Sequence, residues 1–240
     1  MRDETPDVAA GQSAAAQRLQ WIAAGARLVD LTLPWSPECT PVPGHPPIQI
    51  EPLHTHTADG LSNSIARFSL HTATHIDAPY HFHADGLTID RVPLDRLIAP
   101  ATLVDLRSLA RPGEAIRTAE LWAAGVSADE DLSGRVVVCF TGWAADMWNT
   151  PDFYRGNPYL DEAAAGWLAR REIAALGLDF SVDRGAPYPN HQLLLGRGIP
   201  LIENLINLDR IGRREFVIAA LPLPVAGGNG GPARVVALVE

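Results

Sequence analysis

Cysteine, basic charge and long apolar runs are all scarce in this chain of 240 residues. The two cysteines, Cys39 and Cys139, match no zinc-finger spacing and supply no disulfide framework, which suits a reducing cytoplasm. A net charge of −9, without any basic run, argues against non-specific binding of nucleic acid. No stretch approaches the roughly 20 apolar residues that span a bilayer, and the acidic first residues lack the apolar segment of a signal peptide. These absences predict a cytoplasmic protein with no nucleic-acid or membrane partner.

Strand-like and helical patterns alternate irregularly along the chain, which is typical of an α/β fold around a mixed β-sheet. We expect a flexible N-terminal tail at residues 1–11 and a single domain over residues 12–240, because no linker or repeat interrupts that span. The clearest helix is predicted at residues 161–176, with Gly177 as its end. Further helices are predicted at residues 13–24 and 119–124, and strands at residues 27–33, 48–53, 64–70, 101–106, 135–141, 178–180, 199–202, 216–221 and 234–239.

Three imidazoles and a carboxylate fall within eleven residues, at His71, His75, Asp77 and His81. In a straight strand their side chains would share one face, but His71 and His75 would stand about 13 Å apart, which is too far for one metal ion. A helix would join these two histidines but turn Asp77 away from them. A strand that ends in a tight turn between the histidines keeps all three groups together. The spacing therefore predicts a folded-back loop that binds metal.

A second candidate group lies about 120 positions downstream, at His191 and Glu203. His191 opens a short apolar run, and Glu203 closes a predicted strand. A carboxylate at the end of an apolar strand is costly to bury unless something pairs with it. On the residues alone, the partner of Glu203 could be an arginine or a metal ion.

The first cluster, His71-Thr-Ala-Thr-His75-Ile-Asp77-Ala-Pro79-Tyr-His81, resembles a known motif. The cyclase family of metal-dependent hydrolases, which includes bacterial kynurenine formamidase and isatin hydrolase, carries His-Thr-Gly-Thr-His-x-Asp-x-Pro-x-His. The resemblance continues in order over nearly the whole chain, through Asp30-Leu-Thr, Thr141-Gly-Trp143, the block from His191 to Glu203-Asn-Leu, and Leu221-Pro-Leu with the later Gly-Pro-Ala-Arg.

This resemblance implies a swivelling β/β/α-type cyclase fold that assembles as a homodimer or a higher homo-oligomer. It implies a set of five metal ligands, with His81 in an acid/base role. The implied ligands are His71, His75, Asp77, His191 and Glu203.

Five ligands exceed the three that a catalytic zinc ion generally takes from the protein. Either two ions share a bridging carboxylate, or one ion of larger coordination number, such as Mn²⁺, uses most of them. We favour Zn²⁺, as a pair. Metal-activated water would then attack the carbonyl of an aryl formamide or a cyclic amide, and His81 would protonate the leaving nitrogen. A metal-dependent cyclase, lyase or lactonase for a polyketide-like or hydroxy-acid substrate, or a metal-binding protein without turnover, would use the same ligands.

Four aromatic side chains are candidates for the wall of the substrate pocket: Trp35, Tyr80, Phe82 and Trp143. Trp35 has the strongest case, because its proline-rich loop at residues 34–47 also carries Val-Pro-Gly-His where the family has Trp-Pro-Gly-Asp. We expect that stretch, residues 42–45, to border the pocket, and its change puts N-formylkynurenine itself in doubt as the substrate. A second departure, Ala73 in place of the usual glycine, requires that the ligand loop accept a Cβ atom.

Overall fold

The computed structural model describes residues 25–239, so the predicted tail at residues 1–11 and the predicted helix at residues 13–24 lie outside the described part. Twelve strands and five helices are assigned below in chain order. The strands are β1 Arg27–Asp30, β2 Gln49–His54, β3 Asn63–Arg67, β4 His75–Asp77, β5 Ile98–Asp105, β6 Ala115–Ile116, β7 Val136–Phe140, β8 Tyr159–Leu160, β9 Ala175–Leu178, β10 Leu201–Glu203, β11 Glu215–Pro222 and β12 Gly230–Val239. The helices are α1 His56–Asp59, α2 Thr118–Ala123, α3 Trp143–Met147, α4 Glu162–Ala169 and α5 Pro189–Gly196.

The expected α/β domain around a mixed sheet is confirmed, and the sheet closes into a barrel. Its strand order is β1-β12-β11-β5-β7-β9-β10-β4, with an additional pairing between β12 and β4 that closes a ring of seven strands. The pairings β5–β7, β7–β9 and β9–β10 are parallel, whereas β4, β11 and β12 pair antiparallel with their neighbours. β12 is long enough to pair with β4 at its start and with β1 at its end.

Alternation along the strands divides the apolar residues between two cores. In β7, Val136 and Val138 belong to the core inside the barrel, whereas Val137 and Cys139 pack against the helices outside it. A strand that is covered on both faces reads as a continuous apolar run, which explains the sequence of β7. The same alternation sets the direction of the polar side chains on β4 and β10.

The helix predicted over residues 161–176 is too long. α4 ends at Ala169, and Glu172 has a left-handed backbone (φ 51°) that breaks the helix before β9. The apolar residues that follow form a barrel strand parallel to β7, so tertiary pairing overrides their helical propensity. Gly177 lies inside β9, where a Cβ atom would come within 3.1 Å of the Val138 and Leu205 side chains. It permits close packing and does not end a helix.

Other predicted elements are present with shifted bounds. α2 begins at Thr118 with Arg117 in the cap position, where the Glu120 carboxylate accepts the Arg117 backbone N–H at 2.8 Å. The third strand ends at Arg67, well before the ligand loop. The strand predicted at residues 178–180 is β9, three positions earlier, and the strand predicted at 199–202 is β10, which includes Glu203.

The hairpin of β2 and β3 forms a separate two-stranded sheet, and it pairs with no third strand in residues 25–239. All its strand residues are exposed except the half-exposed His54, and the exposed ones include Ile50, Leu53 and Ile65.

Both cysteines are buried free thiols. Burial raises the pKa of Cys139 to about 12, which makes this thiol inert. Over the described span, none of the helices has the length and apolar character needed to cross a membrane.

Candidate metal centre

Two buried carboxylates face each other across the β4–β10 pair. Ile76 and Ile202, at the middle of the two strands, point into the barrel core, so their neighbours point outward beneath the helices. Glu203 pairs in register with His75, and Asp77 pairs with Leu201. His75, Asp77 and Glu203 therefore share one face of the sheet, and each is at most 5% exposed.

The loop before β4 folds back as predicted. Ala73 has a left-handed backbone (φ 53°), a conformation that favours glycine and that here carries a Cβ atom. Its carbonyl accepts hydrogen bonds from Nδ1 of His75 at 2.9 Å and from Nδ2 of Asn204 at 2.8 Å. The turn also brings Nδ1 of His71 to 2.6 Å from Oδ1 of Asp77. The strained residue thus orients one histidine while the turn delivers the other.

His191 reaches the same point from the first turn of α5. The Asp183 carboxylate accepts the backbone N–H groups of Asn190 at 3.1 Å and of His191 at 3.0 Å, and it accepts Nδ1–H of the His191 ring at 2.7 Å. These bonds leave Nε2 of His191 facing the two carboxylates, at 3.5 Å from both Asp77 and Glu203. A carboxylate behind a histidine in this way fixes the ring orientation that a metal ligand needs.

The electrostatics of the group couple acids to imidazoles. Burial alone would raise the pKa of Asp77, but the surrounding histidines hold it well below its usual range. Burial likewise disfavours protonation of His191 and His75. Even so, Asp183, Asp77 and Glu203 raise the pKa of His191, and Asp77 and Glu203 raise the pKa of His75. In the described chain the negative charge of the two carboxylates is balanced by these rings or by a cation in their place.

His81 lies at the edge of this group, at the end of a 3₁₀ turn formed by Pro79–His81. Its ring stacks on His71 with centroids 3.9 Å apart and contacts Phe82 edge to face. Burial lowers the pKa of His81 to about 4, with Asp77 opposing and His71 adding to the effect. The ring is therefore neutral near pH 7.

The donor set fits a divalent cation. Nitrogen and carboxylate oxygen atoms of His75, Asp77 and Glu203 lie within 4.8 Å of one another, as do those of His71, Asp77 and His81. With Nδ1 of His75 and of His191 engaged, each ring presents Nε2 to the carboxylates. Imidazole with carboxylate is a donor set that zinc and manganese both accept. Asp77 belongs to both groups of three.

The centre opens into a cavity of about 220 Å³. Besides the five predicted ligands and His81, the cavity is lined by Val42, Pro43, His45, Phe82, Tyr154, Ser181 and Tyr188. The prediction that the altered stretch at residues 42–45 borders this pocket is confirmed.

Of the four aromatic residues predicted to line the substrate pocket, only Phe82 is part of this cavity. Trp35 packs edge to face on Phe68 and lines a separate groove of about 630 Å³. Trp143 is buried, and its Nε1–H donates to the Phe153 carbonyl at 2.9 Å. Tyr80 follows a buried proline in the 3₁₀ turn, which leaves its side chain 41% exposed.

A model of the Cyclase family (described as "Putative cyclase") matches residues 29–184, which is more than half of the chain. The chain belongs to this family. The expectation drawn from the motif is thereby confirmed, and the match includes the ligand loop but stops before α5.

Curated relatives cover most of the chain. The kynurenine formamidase of Bordetella petrii (strain ATCC BAA-461 / DSM 12804 / CCUG 43448) is 31% identical over 217 residues, which are 88% of this chain and 97% of the relative. That of Geobacillus thermodenitrificans (strain NG80-2) is 32% identical over 170 residues, 69% of this chain and 75% of the relative.

Solved structures share the fold. Isatin hydrolase A from Ralstonia solanacearum superposes with a TM-score of 0.80 at 26% identity, and the match covers 100% of both chains. An isatin hydrolase bound to the product analogue thioisatinate gives a TM-score of 0.83 at 23% identity, covering 97% of this chain and 100% of the other.

Several residues around the centre were not predicted from the sequence. Asp183 supports His191, Oδ1 of Asn229 lies 3.0 Å from Nε2 of His71, and a Cβ atom on Gly230 would come within 2.7 Å of the His71 ring. The sequence signal that could have found Asp183 is its position three residues after a predicted strand, which resembles the position of Glu203 at the end of another predicted strand. Nothing in the local sequence of Asn229 and Gly230 points to His71, because their proximity arises from barrel closure.

We expect the metal-free protein to lose stability as the pH rises above about 6.5. The pKa values of His191 and His75 are raised above the ordinary 6.5 in the fold, so protonation of these rings stabilises the fold fully below 6.5. That contribution is lost as the pH rises through the raised values, because Asp77 and Glu203 lose their cationic partners. The melting temperature of chelator-treated protein between about pH 6.5 and about pH 8.5 measures this loss, since the lowered pKa of His81 affects stability mainly below that range.

Added divalent metal should flatten that profile, since the cation replaces the protons beside the carboxylates. A melting temperature of the chelator-treated protein that stays constant over the same pH range would contradict this account of the centre.

Proposed function

We propose that this protein is a metal-dependent hydrolase that cleaves the C–N bond of a small amide, either an aryl formamide or a cyclic aryl amide. The observation that carries the proposal is the convergence of His75 and His191, each with its Nε2 turned toward Asp77 and Glu203. The names of the relatives, kynurenine formamidase and isatin hydrolase, support hydrolysis of a formyl or ring amide.

Zinc is the ion that we propose, with manganese as the alternative. His71, His75, Asp77, His191 and Glu203 would hold it, and because Asp77 lies close to His71, His75 and His191 alike, its carboxylate is the one that two ions would share. When bound, such a cation supplies Lewis-acid activation of water and of the substrate carbonyl.

The chain itself provides the proton transfer. His81 borders the cavity and is neutral at pH 7, so its ring can accept the proton of the attacking water and then give it to the leaving nitrogen. Its stack on His71 holds the ring next to the ligand group. Tyr154 and Phe82 line the cavity, and their rings would limit the access of bulk water.

A substrate panel tests the reaction class. With metal bound, we expect formate to be released from formanilides or ring-opened acid from isatin-like cyclic amides, and a chelator should abolish either activity. Lactone cleavage or loss of water from a hydroxy acid, without amide cleavage, would favour the lactonase or lyase alternative. Absence of turnover by protein with stoichiometric metal would refute the hydrolase proposal.

Substitution separates the role of His81 from the ligands. His81→Ala should lower kcat about 10²–10⁴-fold, the usual contribution of general acid–base catalysis, while the metal content stays unchanged. His71→Ala and His75→Ala should lose bound metal as well as activity. Metal analysis by mass spectrometry on each purified variant makes the distinction. If His81→Ala protein is purified without metal, His81 is a ligand, as its position beside His71 and Asp77 permits.

We further propose that the protein is a homodimer. A lone two-stranded hairpin is marginally stable in water, and the hairpin of β2 and β3 exposes Ile50, Leu53 and Ile65. A second copy of the chain, related by a two-fold axis, would cover both hairpins at once. The substrate remains a small molecule bound in the cavity of each protomer.

Charged substitutions on the hairpin test this assembly. Leu53→Asp with Ile65→Asp should convert a dimer into a monomer, because the apolar contact between copies is replaced by like charges, and both side chains are exposed in the single chain. Light scattering coupled to size-exclusion chromatography measures the mass. A wild-type protein of single-chain mass, or a variant that remains dimeric, would contradict the proposal.

A further inference from the structure

We propose that His45 determines substrate specificity by donating a hydrogen bond from Nε2 to a second carbonyl oxygen of the substrate, next to the amide that is cleaved. This inference rests on the proposed amide hydrolase function and adds the substrate feature that the cavity recognises. Three observations carry it: the rigid position of His45, the bonding of its ring, and the composition of the cavity wall.

His45 ends a tight turn that fixes its backbone. The His45 N–H donates to the Val42 carbonyl at 2.9 Å, Pro43 follows Val42, and Gly44 has φ 87°. Proline at the second position, with glycine of positive φ at the third, is the pattern of a type II turn. Because the turn is determined by its own residues, the imidazole is placed at the cavity wall before any substrate arrives.

The bonding of Ser69 assigns the tautomer of the His45 ring. The Ser69 hydroxyl oxygen accepts the backbone N–H of His71 at 3.3 Å and lies 2.9 Å from Nδ1 of His45. Because no other described residue accepts the Ser69 hydroxyl proton, we take Ser69 as the donor and Nδ1 of His45 as the acceptor. The ring proton then sits on Nε2, and no residue of the described chain accepts it.

The cavity offers this donor next to the ligand group. The rings of His45 and His71 have centroids 6.4 Å apart, so an oxygen bound at His45 lies a few bonds from a carbonyl held beside His71. The carboxylates of Asp77 and Glu203 are engaged with imidazoles, and no arginine lines the cavity within residues 25–239. At about 220 Å³ the cavity is smaller than the roughly 300–1,000 Å³ of sites for drug-sized ligands.

This arrangement selects a compact, uncharged aryl amide with a carbonyl on the neighbouring ring position. A substrate that lacks the second carbonyl leaves the Nε2–H without a partner, which a site built for hydrogen bonding disfavours. Because His45 is half-buried and not fully enclosed, we expect a moderate preference of about tenfold, the ratio that one neutral hydrogen bond supplies.

The experiment compares formanilide with 2-acetylformanilide, which adds the second carbonyl, on metal-loaded enzyme. His45→Phe keeps a ring but removes the donor, and it should raise KM for 2-acetylformanilide about tenfold more than it raises KM for formanilide, while the metal content stays that of the wild type. His45→Gln places an amide N–H at similar reach and should restore the wild-type KM. His56→Phe, on the exposed helix α1 of the hairpin, is the matched control and should alter neither substrate.

The outcomes separate this inference from the proposed function. If the wild-type enzyme cleaves neither formanilide, the role of His45 fails, and the hydrolase proposal fails with it when isatin-like cyclic amides are not opened either. If the wild type cleaves both but His45→Phe changes the two KM values equally, or changes neither, only the role of His45 is refuted. A selective loss that glutamine does not rescue would also refute it, since it would show that the ring shape, and not the donor, is what matters.

Discussion

The burial of two carboxylates on facing strands is the constraint on which the site depends. Asp77 is 1% exposed and Glu203 is 5% exposed, and a carboxylate taken out of water without a partner costs far more than a single hydrogen bond returns. Each must therefore be met by positive charge. Two histidines reach both carboxylates, one from the same sheet and one from a helix that crosses above it. Either a cation at this position or protonated imidazoles would balance the negative charge of the two buried carboxylates.

Barrel closure makes this arrangement rigid. β4 has only three residues, yet it pairs with β10 on one side and with the start of β12 on the other. Gly230 lies in that second pairing. A Cβ atom there would come within 2.7 Å of the His71 ring and within 2.8 Å of the Ile76 carbonyl, so the glycine leaves room for both. The strand that closes the barrel is thus the strand against which the ligand loop rests. Disturbing the closure would displace the ligands, because strand and loop share the same backbone contacts.

The part of this centre that the sequence predicts is local. The spacing from His71 to Asp77 excludes a straight strand by distance and a helix by the direction of Asp77, and the turn at Ala73 is the remaining solution. Long-range relations are different in kind. Residues 175–178 form a strand because they pair with the neighbouring β7. The contact of Trp35 with Phe68 depends on the path of the proline-rich loop. Neither relation leaves a periodic pattern in the residues concerned.

The same distinction explains why the ligands are easier to predict from a sequence than the substrate. His75, Asp77 and Glu203 are placed by main-chain pairing between short strands, and a register shift of one residue would turn His75 and Asp77 into the barrel core. The cavity wall comes instead from loop and helix-end residues such as His45, Phe82 and Tyr188, whose side chains can change without disturbing any strand. Tyr188 itself has a left-handed backbone (φ 60°) at the start of α5, a strain that persists only where surrounding packing imposes it. The buried group of carboxylates and imidazoles therefore depends mainly on the sheet, whereas the wall of the cavity beside it depends on the turns around the sheet.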